Sequence, residues 1–197
     1  DFTRKYFPKL FSFLGEFEYS NNGAKKLGTA EGGKKIRLLG VNYVDELKKS
    51  RAGLDEYFLK TIHHEFVHIL NQTKDYPRDF DKITPNGYVN DAWSSDERIE
   101  GYLPRGFITN YAQKEAREDF AEMVSTYIVS TPERWEAMMK AAEGTDKSGR
   151  EAIEKKLAIC KLYYKENFGI DLDKVRDAVI ERENDVVNGA YDLRSLN

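Results

Sequence analysis

The chain has 197 residues, with 31 lysines and arginines against 34 aspartates and glutamates and a net charge of −3. This length fits one domain, and with 40% hydrophobic and 13% aromatic residues to build a core, the 33% charged residues read as a solvated exterior rather than as disorder. The near-neutral balance offers no basic field for a phosphate backbone or an anionic membrane surface, which argues against nucleic acid as the main partner. No apolar run approaches the roughly 20 residues that span a bilayer. Because the chain starts at Asp1 without an initiator Met or a basic-then-apolar leader, a mature or trimmed product is expected.

The first fifty residues read as β-rich. Leu10 to Tyr19 carries four aromatics, and Ile36 to Val44 is a second apolar run behind the turn-forming Glu31-Gly32-Gly33, so a small sheet is expected. From Leu54 to Asn71 the residues Leu54, Phe58, Ile62, Phe66 and Ile69 recur at helical period. Leu59, Val67 and Leu70 widen that apolar face, so the histidines on the remaining arc meet an enclosed place. Asp75 to Thr109 contains Pro77, Pro85, Gly87, Gly101, Pro104 and Gly106 without a sustained period, and reads as a long loop of the kind that wraps clefts.

A second helix is expected from Lys114 to Ser130, and Thr131-Pro132 reads as the N-cap and first residue of a third through Trp135 and Met139. Gly144 to Gly149 is a turn. Glu151 to Phe168 and Leu172 to Asn188 complete a helical half, with Gly169 as the C-terminal cap of the first, Asp171 as the N-cap of the second, and Ile170 and Val175 as its hydrophobic staple. The single cysteine, Cys160, excludes an internal disulfide and shares a helical stripe with Ile153, Leu157 and Tyr164, so it belongs to the core. The simplest organisation is one α+β domain over residues 1–197, β-rich to about residue 50 and mainly helical after it.

All three histidines fall within His63-His64-Glu65-Phe66-Val67-His68, which contains the His-Glu-x-x-His signature of zincins. On a helix, residues four apart stand one above the other, so His64 and His68 can offer two imidazole nitrogens to one zinc ion. Glu65, beside the first ligand, can take the proton of a zinc-activated water. The bland alternative, a buried helix with satisfied core histidines, must place every histidine of the chain by accident. His63, rotated about 100° from His64, is expected to pack or hydrogen-bond.

Two histidines leave a catalytic zinc one protein ligand short. The metzincin extension would need a glycine at position 71 and a histidine at 74, where Asn71 and Lys74 stand. A carboxylate is therefore expected, and the second helix offers Glu115, Glu118, Asp119 and Glu122. Glu118 and Glu122 share a face, the gluzincin arrangement of a ligand Glu followed one turn later by an acid that orients a zinc-bound imidazole. Glu115 and Asp119 compete for the ligand role.

The local sequence Tyr111-Ala112, then Glu118-Asp119-Phe120-Ala121-Glu122, is similar to the site of gluzincin proteases of the lethal-factor toxin type, in which a Tyr seven residues before the ligand Glu helps to stabilise the oxyanion. The resemblance implies His64, His68 and Glu118 as zinc ligands, Glu65 as general base, Glu122 as the acid behind a ligand and Tyr111 as electrophilic helper. Glu122 stands where an Asp is commoner. The chain further resembles the zinc-binding metallopeptidases known as substrate-import-associated zinc metallohydrolase lipoproteins, through Gly40-Val41-Asn42, Gly106-Phe107-Ile108-Thr109-Asn110-Tyr111-Ala112, Tyr163-Tyr164-Lys165 and Phe168-Gly169. That family implies an extracytoplasmic protein at the outer membrane or cell surface, held by a lipid anchor on an N-terminal segment that this sequence lacks, beside nutrient-import systems.

The expected function is a zinc metallopeptidase of zincin-like fold, acting as a monomer on a peptide or protein laid as an added strand along Ile36 to Val44. Two rivals are a binding or accessory module of an import system with a structural or vestigial zinc, and a zinc hydrolase of non-peptide amides or esters. A retained general base favours an enzyme, since a structural site closes its fourth position with another Cys or His. Trp93 and Tyr102 either line a cleft or close the core, and Arg105 and Arg117 either bind a substrate carboxylate or are solvated.

Overall fold

The computed structural model describes residues 16–20, 28–39, 59–94, 101–188 and 190. Strands β1 (Glu16–Ser20), β2 (Gly28–Glu31) and β3 (Lys35–Leu39) form a sheet in the order β1-β3-β2. β1 runs parallel to β3, pairing Glu16 with Lys35, and β2 runs antiparallel to it, pairing Glu31 with Lys35. The β2–β3 hairpin closes over Gly32, Gly33 and Lys34, with φ angles of +58° and +68° at the two glycines and the Lys34 N–H donating to the Glu31 carbonyl at 3.2 Å. Ile36 and Leu38 point into the core, while Arg37 between them pairs with Glu31 at 2.9 Å on the other face.

The expected strands at Leu10–Tyr19 and Ile36–Val44 correspond to β1 and β3, with residues 10–15 and 40–44 lying outside the described residues. β2 has no counterpart in the sequence reading. Its consequence is a correction: β3 is the central strand, hydrogen-bonded on both sides over Lys35–Leu39, so no free edge is left there for a substrate peptide. β2, an edge strand among the described residues, packs with β3 against the first helix.

That helix, α1 (Lys60–Thr73), is the described part of the helix expected from Leu54, residues 54–58 lying outside the described residues. The loop after it carries turns and a short 3-10 helix at Asn90–Ser94, and residues 95–100 are likewise outside. A 3-10 turn at Tyr111–Gln113 then leads into α2 (Ala116–Val129), followed by α3 (Pro132–Ala142), α4 (Ser148–Phe168) and α5 (Leu172–Val187). Helix ends differ from expectation by one or two residues at Thr73, Val129 and Val187, the separate 3-10 turn delays α2 by two residues, and α4 begins three residues early, at Ser148.

α2 is the central element, buried at every residue from Glu118 to Val129 and packed by α1, α4, α5 and the 3-10 turn. Phe120 anchors the aromatic core, with ring centroids 5.2 Å from Phe80 and 5.3 Å from both Tyr76 and Tyr163. Cys160 is fully buried. A helix enclosed on all sides is normally apolar all round. α2 instead encloses Glu118, Asp119 and Glu122, and each buried acid requires partners.

The expected caps form. Thr131 Oγ1 accepts from the Arg134 N–H at 3.2 Å with Pro132 at the first helical position, and Asp171 Oδ1 accepts from the Asp173 N–H at 3.0 Å between buried Ile170 and Val175. Gly169 ends α4 in the left-handed conformation. Thr131→Ala should lower the unfolding free energy by about 1 kcal/mol, read as a shifted urea midpoint at unchanged slope. Among the described residues, no helix is long and apolar enough to cross a membrane.

Candidate metal centre

α1 presents His64 and His68 one turn apart, and α2 crosses it with Glu118 facing them. His64 Nε2 and His68 Nε2 lie 3.0 Å apart, and Glu118 Oε2 is 3.1 Å from each. These three atoms are the corners of a nearly equilateral triangle. His64 Nδ1 meets Glu122 Oε1 at 2.8 Å in a close though bent approach, which favours a proton on Nδ1 and a bare lone pair on Nε2. Zinc bound tetrahedrally at about 2.0–2.1 Å separates its ligand atoms by about 3.3 Å, so two imidazole nitrogens and a carboxylate oxygen at this spacing fit the ion with a spread of a few tenths of an ångström. His64, His68 and Glu118 thus form, among the described residues, a group that could hold a metal ion.

The surrounding charges are negative where a cation would sit. Burial disfavours an imidazolium at His64, yet Glu118 and Glu122 outweigh it and raise the pKa to about 9 in the metal-free chain. A pocket that stabilises this proton stabilises a dication in its place. Glu118 is held well below the carboxylate range, burial being outweighed by the two histidines, and Glu122 likewise, burial being outweighed chiefly by Lys60 and His64. Glu65 is buried on the same helix, and burial pushes its pKa up against the pull of His64 and His68.

Tyr111 approaches from the 3-10 turn, with its ring centroid 5.8 Å from that of His64 and its hydroxyl within the electrostatic reach of Glu118. Burial and the neighbouring carboxylates push its pKa far above the ordinary range, so the hydroxyl stays a donor. Lys114 Nζ lies 3.4 Å from that hydroxyl and 3.2 Å from Glu118 Oε1. Trp93 packs edge-on against Tyr111 at 4.7 Å and so borders the site, whereas Tyr102 packs against the core.

The rivals for the third ligand are elsewhere. Asp119 faces away, meeting Lys156 Nζ at 2.6 Å and the Tyr88 hydroxyl at 3.0 Å, and Glu115 is exposed at the start of α2. His63 stands outside the triangle, its pKa lowered to about 4 by burial. Arg105 donates to Gln113 and to the Gly87 carbonyl at 3.1 Å, a role inside the loop, and Arg117 is exposed.

Three contributors have no signal in the motif reading. Lys60 Nζ meets Glu122 Oε2 at 2.9 Å, one turn before His64 on the same helix, so a search at helical offsets from His64 could have found it. Thr109 Oγ1 donates to the same oxygen at 2.6 Å. Gly28 brings the β2 backbone so close to Glu65 that a Cβ there would lie 2.7 Å from its Cγ and 2.9 Å from its Oε1.

Comparison with curated proteins gives no match. The crystal structure of a "putative zinc-binding metallo-peptidase" from Bacteroides caccae is similar to this chain with a TM-score of 0.72 and 29% identity, over 95% of this chain and 76% of that one. A family model described as "Putative zinc-binding metallo-peptidase" matches residues 1–173, and with the two histidines, the facing glutamate and the buried acids around them in view, the chain belongs to that family.

Proposed function

We propose that the protein is a zinc-dependent peptidase of gluzincin type on a zincin-like fold, with His64, His68 and Glu118 as ligands, Glu65 as general base, Tyr111 as oxyanion donor and Glu122 orienting His64. The observation that carries this reading is the convergence of His64 Nε2, His68 Nε2 and Glu118 Oε2 at 3.0–3.1 Å, with a buried carboxylate beside the triangle and a protonated phenol across from it. Zinc held there supplies Lewis acidity, polarising a carbonyl and making water nucleophilic near neutral pH.

The protein's own groups do the rest. Glu65, its pKa raised by burial, takes a proton from the attacking water and returns it to the leaving amine. Tyr111 keeps its hydroxyl hydrogen and donates a hydrogen bond to the oxygen on which charge develops. β2, an edge strand of the sheet among the described residues, passes over Glu65 at Gly28 and is the strand on which a peptide would be held extended by main-chain hydrogen bonds. By family likeness the proposal extends to an extracytoplasmic, lipid-anchored monomer acting on peptides.

Protein purified without chelator should carry about one zinc per chain, and a broad peptide library should be cleaved, with cleavage lost on zinc removal and restored by zinc. Full zinc without cleavage of any peptide or ester would favour the binding-module reading. Cleavage of esters alone would favour a non-peptide hydrolase.

A further inference from the structure

Thr109 lies between the two halves of the site, and its one hydroxyl serves both. It donates to Glu122 Oε2 at 2.6 Å and accepts from the Ala112 N–H at 3.1 Å. Ala112 is the middle residue of the 3-10 turn that starts at Tyr111. Lys60 Nζ meets the same Glu122 oxygen at 2.9 Å, which leaves Oε1 at 2.8 Å from His64 Nδ1. Glutamate has one more methylene than aspartate and so one more torsion to fix, and two donors on a single oxygen fix it. The carboxylate is buried, so water does not replace a missing donor.

We propose that Thr109 is a positioning residue: by bridging Glu122 to the Ala112 N–H, its hydroxyl sets the His64 ligand and the Tyr111 turn in one fixed relation. A hydroxyl carries one hydrogen, and committing it to Glu122 leaves a lone pair to cap the turn. Removing the hydroxyl leaves the acid behind His64 with Lys60 as the remaining donor on that oxygen and takes the cap from the turn that aims Tyr111, both at once. The metal half of this inference stands on the ligand set alone, and the rate half rests on the peptidase reading above.

The test compares Thr109→Val, which keeps the shape, with Thr109→Ser, which keeps the hydroxyl. Zinc affinity is measured by competition with a chromophoric chelator, and Thr109→Ala is read in parallel so that misfolding of one variant does not remove the test. Loss of a group behind a ligand commonly weakens metal affinity about 10- to 100-fold, and that loss is expected for the Val and Ala variants but not for Ser. In a Glu122→Ala background Thr109→Val should add less than about twofold, because its partner is already gone. At saturating zinc, Thr109→Val should lower kcat at unchanged KM, while Tyr111→Phe lowers kcat and leaves zinc affinity alone. Zinc affinity of Thr109→Val within about twofold of wild type, or an equal loss with and without Glu122, would overturn the metal half. Weakened zinc binding with wild-type kcat at saturation would overturn the link to Tyr111. A lowered melting temperature with neither change would reduce Thr109 to a structural residue.

Discussion

Glu65→Gln should keep about one zinc per chain and lose hydrolysis, with kcat reduced about 10²- to 10⁴-fold, the usual range for a general base. The reason lies in where Glu65 stands. It is next to His64 on α1 yet outside the triangle of ligand atoms, so an amide of the same shape leaves the three donors in place. The amide fits the same space under the β2 backbone at Gly28 but cannot take up a proton. His64→Ala separates the two functions, since it removes a corner of the triangle and should lose stoichiometric zinc together with activity. Metal analysis and peptide turnover on the same preparations decide. Loss of zinc from Glu65→Gln would put Glu65 among the ligands, and retained turnover would move the base elsewhere.

The residues of that prediction were legible before any coordinates because helical spacing is a fixed ruler. His64, Glu65 and His68 are related by one turn of one helix, and Glu118 and Glu122 by one turn of another. The caps at Thr131 and Asp171 are equally local and stand where expected. What the sequence leaves open is how one ruler is laid against another. Lys60 and Glu122 meet across 62 positions, and Thr109 reaches Glu122 from a loop without period. Glu118 and Asp119 are adjacent acids on one helix, and only the placement of α1 on one side and α4 on the other brings the first to the two histidines and makes the second an ion-pair partner. The sheet shows the same limit. Ile36 and Leu38 announce a strand, but its central position follows from β2, a four-residue Gly-Thr-Ala-Glu segment with no alternating pattern to signal it.

Lys156→Met should lower the unfolding free energy by about 3–5 kcal/mol, the range for breaking a buried ion pair from one side. Lys156 and Asp119 are both fully buried, and the ammonium also donates to the Gly106 carbonyl at 2.8 Å and lies 4.1 Å from the centroid of the Phe107 ring. Burial pushes Asp119 up to about 6 and Lys156 down, and each group pulls the other back towards its charged form. Methionine fills nearly the same volume, so little of the loss comes from a cavity. It comes from Asp119, left with the Tyr88 hydroxyl, and from a Gly106 carbonyl without its donor. If that is the cause, removing the second charge should help rather than harm: Lys156→Met with Asp119→Leu should return to within about 2 kcal/mol of wild type, since apolar replacement of a whole buried pair is often close to neutral. Urea midpoints at unchanged slope give the comparison. A double variant as unstable as the sum of the two single ones would show instead that the pair is not coupled, and that α4 is held to α2 and to the loop before Tyr111 by packing alone.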